Sequence, residues 1–180
     1  LRGCKNRVII LNTKYLMPSN SSFYFSNQQL CSRSALQSWF KEHQRRLPWR
    51  GTSTIYDTWL CEIIMQQTRI DQGMAYWLKF KDRWPNVQAL AEADLSDVLK
   101  AWQGLGYYSR ARNLHRAANI IAFDLDGAFP ENAETWRTIP GVGPYTAAAI
   151  SSICFEEVIP AIDGNVIRVI SRFLGIHSPI

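Results

Sequence analysis

One carboxylate in this sequence stands inside an apolar segment. Glu62 lies in TWLCEIIMQQT, residues 58–68, where the surrounding Trp, Leu and Ile residues would form an ordinary buried helix face. An unpaired buried charge is costly, so a carboxylate there needs either a partner or a task. Burial also raises the pKa of a carboxyl group, so Glu62 could donate a proton near neutral pH. The segment alone leaves a satisfied half-buried carboxylate and a functional one equally open.

A second carboxylate precedes a short apolar segment. Asp163 is followed by Gly164 and Asn165 in PAIDGNVIRVI, residues 160–170. Asp and Asn at the start of a helix accept hydrogen bonds from its first free N–H groups. Taken alone, this segment favours a helix cap over a chemical role.

The most specific pattern is TIPGVGPYTAAAI, residues 138–150, in which Gly141 and Gly143 flank Val142 between two predicted helices. Pro144 suits the first turn of the second helix. Glycines let the backbone turn tightly and approach a ligand, and the N–H groups at the helix start then form an anion site. This is the arrangement of a helix-hairpin-helix, which holds DNA by its phosphates. A plain αα-corner with a glycine cap is the alternative.

The composition allows a polyanionic partner. Twenty Lys and Arg residues against 15 Asp and Glu give a net charge of +5, and 14 of the 20 are arginine, which suits phosphate contacts. No apolar run approaches the roughly 20 residues of a membrane span. The cysteines are scattered without a C-x-x-C pair or metal-ligand spacing, which predicts reduced thiols and a cytosolic protein. These are Cys4, Cys31, Cys61 and Cys154.

The elements that must position these residues are helices. From Ser32 onward apolar residues recur with a helical period and alternation with period two is almost absent, which predicts an all-α fold. One predicted helix covers about residues 55–67 and carries Glu62. Another has an apolar face formed by Ala111, Leu114, Ala117, Ala118 and Ile121. Residues 1–28 lack this period, so we expect a poorly ordered leader followed by one domain over residues 29–180.

Four segments together resemble, in order and spacing, the helix-hairpin-helix DNA glycosylases. They are WLCEIIMQQT, GLGYYSRARNL, IPGVGPYTAAAI and IDGNVIRV, within about residues 32–176. The chain looks most like the adenine DNA glycosylases of the MutY family, which remove adenine mispaired with 8-oxoguanine. The resemblance implies a six-helix barrel module and part of a second helical module. It also implies hydrolysis of the N-glycosidic bond of adenine opposite 8-oxoguanine or guanine, which leaves an abasic site.

The resemblance assigns the chemistry to three residues. Glu62 would protonate adenine at N7. Asp163 would stay ionised and stabilise the oxocarbenium-like sugar, either by its charge or through a transient covalent bond. Tyr145 would lie beside both, and it stands where the endonuclease III type of glycosylase-lyase carries a lysine. Without that amine no Schiff base can form with the sugar, so a lyase step is not expected.

The resemblance also implies DNA-contacting residues. The target adenine must leave the base stack. Gln67, roughly 7–8 Å beyond Glu62 along a helix, would fill the gap, with Tyr107 as a second wedge beside 8-oxoguanine. Core packing behind a glycine cap is the alternative for Tyr107 and Tyr108. The remaining expected contacts are the adenine-pocket residues Trp49 and Arg50, the hairpin residues Gly141, Val142 and Gly143, and the cap residue Asn165.

Members of this family normally continue with four cysteines that bind a [4Fe–4S] cluster and with a domain that recognises 8-oxoguanine. No cysteine of this chain matches those ligand positions. We therefore expect a chain truncated before the cluster segment that binds no metal or cofactor itself, whereas its full-length parent binds the cluster. We also expect an apolar surface exposed near residues 166–176. Such a piece could be weak or inactive on its own.

The expected partner is double-stranded DNA with adenine opposite 8-oxoguanine. We expect a monomer in the bacterial cytoplasm, associated with the nucleoid and not with a membrane. Two alternatives stay open. One is an endonuclease III-like glycosylase of other base specificity, and the other is a non-catalytic helix-hairpin-helix fragment that only binds DNA.

Overall fold

The computed structural model describes residues 27–50 and 54–176, with side chains described from residue 34 onward. Within these ranges the chain forms helices and no strand, which confirms the predicted all-α class. A π-helical turn over Ile120–Asp124 extends the sixth helix. The α-helices of the described residues are α1 (Asn27–His43), α2 (Ile55–Ile64), α3 (Ile70–Arg83), α4 (Val87–Ala91), α5 (Leu95–Trp102), α6 (Tyr108–Asn119), α7 (Ala133–Trp136), α8 (Pro144–Phe155) and α9 (Gly164–Leu174).

The helix that carries Glu62, α2, lies at the centre of the core. A capping box fixes its start: the Asp57 N–H donates to Thr54 Oγ1 at 3.2 Å, and the Thr54 N–H donates to the Asp57 carboxylate at 2.8 Å. Trp59 and Leu60 are fully buried where α2 packs against α3, α6 and α8. Burying one such side chain stabilises the fold by about 1.5–3 kcal/mol. The backbone on which Glu62 stands is therefore firmly held.

The predicted apolar face of α6 is confirmed, and all five of its residues are fully buried. They pack α6 against α4 and α5, and so attach the loop over residues 103–107 to the core. Helix α5 begins directly after Asp94. Asp94 occupies the cap position, but its side chain makes no capping hydrogen bond.

The structure corrects the predicted helix over residues 55–67. Helix α2 ends at Ile64, and a hydrogen bond of 3.1 Å from the Thr68 N–H to the Met65 carbonyl closes a turn. Gln67 has a φ of 54°, in the left-handed region, so it does not continue the axis of α2. A tertiary contact draws the chain away from that axis, because Gln66 Nε2 donates to the carbonyl of Gly141 at 3.2 Å.

Helix α9 leaves its apolar residues in solvent. It has no buried residue, and the predicted exposed apolar surface near residues 166–176 is confirmed. At the other end, residues 27 and 28, which the sequence assigned to the leader, lie in α1. The rest of that predicted leader lies outside the described residues. No helix in the described part of the chain is long and apolar enough to cross a membrane.

Candidate active site

Glu62 lies in the last turn of α2, beside the core. The residue is half-buried, and desolvation raises the pKa of its carboxyl to about 7. The described residues provide no ion-pair partner within 4.0 Å that would hold the carboxyl ionised. A carboxyl group with such a raised pKa can hold its proton near neutral pH. The role of Glu62 as the proton donor stays a prediction.

The raised pKa of Glu62 predicts that the free energy of unfolding depends on pH. Because the folded pKa of about 7 lies above the ordinary value of 4.5, the folded state holds this proton more tightly than the unfolded state. The contribution of Glu62 to stability is therefore fully present below pH 4.5 and is lost as the pH rises through 7. Relative to Glu62→Gln, the wild-type free energy of unfolding should fall by about 2 kcal/mol between pH 5 and pH 8.

Urea unfolding of both proteins at several pH values would measure this difference. Other groups titrate equally in the two proteins, so only their difference reports Glu62. Parallel curves for wild type and Glu62→Gln would mean that the carboxyl keeps its ordinary pKa in the folded protein.

Asp163 is held in the opposite protonation state at the start of α9. Its Oδ1 accepts a hydrogen bond of 2.8 Å from the Val166 N–H, and its Oδ2 accepts one of 3.1 Å from Asn165 Nδ2. These hydrogen bonds, with that from Val166 first, hold the pKa of Asp163 below its ordinary value. The capping interpretation of Asp163 is therefore correct, and the cap keeps the carboxylate ionised. Arg168 in turn donates to Asn165 Oδ1 at 3.1 Å.

Tyr145 lies within electrostatic reach of both carboxyl groups. It follows Pro144 in the first turn of α8, which packs against α2. Burial first, and then the charges of Glu62 and Asp163, raise the pKa of its hydroxyl to about 12. A neutral hydroxyl thus stands within electrostatic reach of a neutral acid and an ionised carboxylate. Such a set can protonate a leaving group and stabilise a cation that forms beside it.

The hairpin between α7 and α8 uses its two glycines differently. Gly141 has a φ of 80°, and a Cβ there would lie 3.0 Å from Asn113 Cβ. Gly143 has a φ of −85°, and a Cβ there would meet nothing within 4 Å. The side chain of Val142 is buried, so only its backbone can meet a ligand. Because α8 has no side-chain cap, its first N–H groups remain available to an anion.

The two residues predicted to enter the duplex, Gln67 and Tyr107, are exposed, and their backbones are in the left-handed region. Tyr107 has a φ of 44° and is 67% exposed, and Gln67 is also exposed. Tyr108 is 40% exposed. The alternative of core packing for the two tyrosines is therefore wrong.

Trp49 and Arg50 lie on the α1 side of α2. The half-buried Trp49 packs its ring 5.5 Å from that of Trp77. The charge of Arg50 counteracts the larger effects of burial and Glu62, which raise the pKa of Cys61. Arg50 thus lies within electrostatic reach of the segment that carries Glu62. Its predicted place in an adenine pocket stays a prediction, as does that of Trp49.

A basic cavity of about 620 Å³ opens next to these residues. Four of its lining side chains are cationic: Lys41, Arg45, Arg46 and Arg50. Its open, polar lining suits contact with a polyanion more than enclosure of a base.

Two structurally central residues were missed by the sequence analysis. The Arg110 guanidinium is buried against the turn after α2, and Gln66 links that turn to the hairpin. A signal for Arg110 was present, since it precedes Leu114 by four residues and Ala117 by seven and so falls on the buried face of α6. Nothing in the sequence distinguished Gln66 from Gln67.

Metal chemistry finds no support in the described side chains. No three His, Cys, Asp or Glu residues of that part of the chain are grouped so that they could hold a metal ion. Cys61 carries a buried thiol and Cys154 a half-buried one. Two thiols are too few for an iron–sulfur cluster, which takes four thiolates, so a cluster in a longer protein stays a prediction.

Comparison with known proteins gives one consistent result. The family described as "HhH-GPD superfamily base excision DNA repair protein" matches residues 60–179. The adenine DNA glycosylase of Mus musculus is 41% identical over 155 residues, which are 81% of this chain and 30% of that protein. The adenine DNA glycosylase of Buchnera aphidicola (subspecies Acyrthosiphon pisum, strain APS) is 39% identical over 142 residues, 78% of this chain and 41% of that protein.

Among solved structures, a thermostable thymine-DNA glycosylase superposes with a TM-score of 0.71 at 27% identity. The match covers 77% of this chain and 64% of that one. The chain thus shares the fold of an enzyme of this type, and it spans well under half the length of the curated relatives described above.

Proposed function

Because this chain belongs to the HhH-GPD superfamily of base excision DNA repair proteins, we propose that it excises adenine opposite 8-oxoguanine or guanine from double-stranded DNA, as a monofunctional glycosylase. The observation that carries the proposal is the pair of carboxyl groups whose charges both act on Tyr145, with the pKa of Glu62 raised and that of Asp163 lowered. Relatives named as adenine DNA glycosylases, about 40% identical over most of this chain, support the choice of base.

The reaction follows from those two protonation states. Neutral Glu62 donates its proton to N7 of the extruded adenine, and the electron pair of the N-glycosidic bond then leaves with the base. The ionised Asp163 stabilises the positive charge that develops on the sugar. Water adds to the anomeric carbon and releases a proton, which leaves an abasic site. Tyr145 has no amine, so the DNA strand stays intact.

The DNA contacts follow from the exposed backbone and side chains. The backbone at Val142, Gly143 and the start of α8 would bind a phosphate. Gln67 and Tyr107, both exposed and both at turns, would enter the duplex as the adenine leaves it. Asn165 would act indirectly, through its hydrogen bond to Asp163. The substrate implies association with cellular DNA, while the nucleoid and a monomeric state stay predictions.

The experiment that tests this function uses a labelled duplex with adenine opposite 8-oxoguanine, incubated with the chain and split with and without alkali. Strand breakage only after alkali is the expected result. Breakage without alkali would contradict a monofunctional enzyme. Matched duplexes with thymine or other bases at the target position test the alternative of another specificity, because excision from one of them and not from the adenine duplex would select it.

The hairpin glycines provide a matched pair of variants. Gly141→Ala should lower the free energy of unfolding by about 1–3 kcal/mol, because its φ is positive and the new Cβ would crowd Asn113. Gly143→Ala should change stability by less than about 0.5 kcal/mol. Its Cβ would project into open space at the anion site, so we expect the Kd for duplex DNA to rise about tenfold, or about 1.4 kcal/mol.

Urea unfolding and fluorescence anisotropy with a labelled duplex measure the two effects. If Gly143→Ala bound the duplex as tightly as wild type, the phosphate would not meet the protein at the start of α8.

A further inference from the structure

The Arg110 guanidinium reaches two turns, one that carries Gln67 and one that carries Tyr107, and both residues are left-handed. Its Nη1 donates to the turn after α2, and its Nη2 donates to the loop before α6. The acceptors are the Ile64 carbonyl at 3.1 Å, the Gln66 carbonyl, Thr68 Oγ1 at 3.1 Å, the Leu105 carbonyl at 3.0 Å and the Gly106 carbonyl at 3.5 Å. Only an arginine presents enough donors in a fixed fork to reach all of these oxygens.

This guanidinium is a buried cation, and the acceptors of its hydrogen bonds are all neutral oxygens. The described residues provide no carboxylate within 4.0 Å of it, and burial lowers its pKa. Its charge is compensated by carbonyl and hydroxyl oxygens and by two aromatic faces. The ring centroids of Trp102 and Tyr107 lie 5.1 Å and 5.8 Å from Cζ. Burying a charge without an ion-pair partner costs free energy. We therefore expect the hydrogen bonds of Arg110 to fix a backbone geometry that an apolar side chain could not fix.

The acceptors lie next to Gln67 and Tyr107 in the chain, and both of these residues are exposed and left-handed. Gln66 and Thr68 flank Gln67, and Gly106 immediately precedes Tyr107. A non-glycine residue in the left-handed region costs about 1–3 kcal/mol and persists only where its surroundings hold it. The single rigid guanidinium of Arg110 stabilises both turns by hydrogen bonds. Gln66 extends the connection, because its Nε2 also donates to Thr146 Oγ1 in α8 at 3.3 Å.

We propose that Arg110 is a positioning residue that fixes Gln67 and Tyr107 relative to each other, so that both side chains enter the duplex together when the adenine is extruded. This inference rests on the proposed function for its consequence, but its structural part does not. Arg110 touches neither the base nor the sugar, and it acts through the two turns. Its loss should impair extrusion of the base more than binding of the duplex.

The test compares Arg110→Lys with Arg116→Lys, an exposed arginine on the same helix. Lysine keeps the charge, but its single ammonium cannot reach both turns. In the free protein, hydrogen exchange of residues 65–68 and of residues 104–110 should become at least about tenfold faster in Arg110→Lys, while α8 exchanges as in wild type. Arg116→Lys should exchange as wild type throughout. Unchanged exchange in both turns of Arg110→Lys would overturn the proposal.

A second measurement reports the extrusion itself. The fluorescence of 2-aminopurine at the target position rises when that base leaves the stack, and Arg110→Lys should slow this rise at least about tenfold while the Kd for the duplex changes less than threefold. A wild-type chain that never extrudes the base would contradict the proposed function, and the exchange data would still decide the role of Arg110. An equal loss of duplex affinity and extrusion would instead indicate a phosphate contact and overturn the positioning role.

If Arg110→Lys does not fold, Thr68→Val is the variant that tests the proposal. It removes one acceptor, Oγ1, and should speed exchange in residues 65–68 alone, leaving residues 104–110 as in wild type. Exchange unchanged in both turns would overturn the proposal for this variant also.

Discussion

Glu62→Gln is expected to lower the rate of adenine excision by about 10²–10⁴-fold, the range that a general acid contributes. Glutamine has nearly the same shape as glutamate, but it has no acidic proton to give to N7 of the base. The raised pKa of Glu62 is what supplies the proton near pH 7. Single-turnover excision from a duplex with adenine opposite 8-oxoguanine, followed by alkali, measures the rate.

The matched control is Glu92→Gln, at an exposed glutamate outside the site, which should excise adenine at the wild-type rate. The pH profile gives an independent check. In wild type the rate should fall as the pH rises through about 7, since the neutral acid is then lost. A Glu62→Gln protein within threefold of wild type, with undisturbed DNA binding, would remove the general-acid role and leave the non-catalytic DNA-binding alternative as the better account.

Asp163→Asn is expected to lower excision by about 10²–10³-fold, the range found when one electrostatic stabiliser of a transition state is removed. This substitution separates the two roles of the residue. Asparagine caps a helix as well as aspartate does, so the hydrogen bond from the Val166 N–H should persist and stability should change by less than about 0.5 kcal/mol. The negative charge beside the sugar is lost.

The excision rate and the free energy of unfolding must be measured on the same preparation. If Asp163→Asn lowered both, the role of Asp163 would be that of a helix cap alone. Asp94→Asn is the control, since Asp94 occupies the cap position of α5 but makes no capping hydrogen bond there. Asp94→Asn should change neither the excision rate nor the free energy of unfolding. Full activity of Asp163→Asn would mean that the sugar cation is stabilised by something other than this carboxylate.

The sequence by itself determined the features that depend on short stretches of chain. The helical period placed Ala111, Leu114 and Ala117 in the core, because a residue's face on a helix follows from spacing alone. The cap at Asp163 and the strained turn at Gly141 were predictable from residue type. The raised pKa of Glu62 was predictable from the apolar residues around it in the sequence, because burial is its cause.

The tertiary structure decided where the two wedge residues lie. The sequence placed Gln67 along the axis of α2, whereas that helix ends at Ile64 and Gln67 adopts a left-handed turn. Arg110 holds this turn through carbonyl oxygens 44 and 46 residues away. Every residue has a carbonyl oxygen, so no side-chain pattern indicates which ones a distant guanidinium will meet. Only the packing of α6 against α2 brings them together.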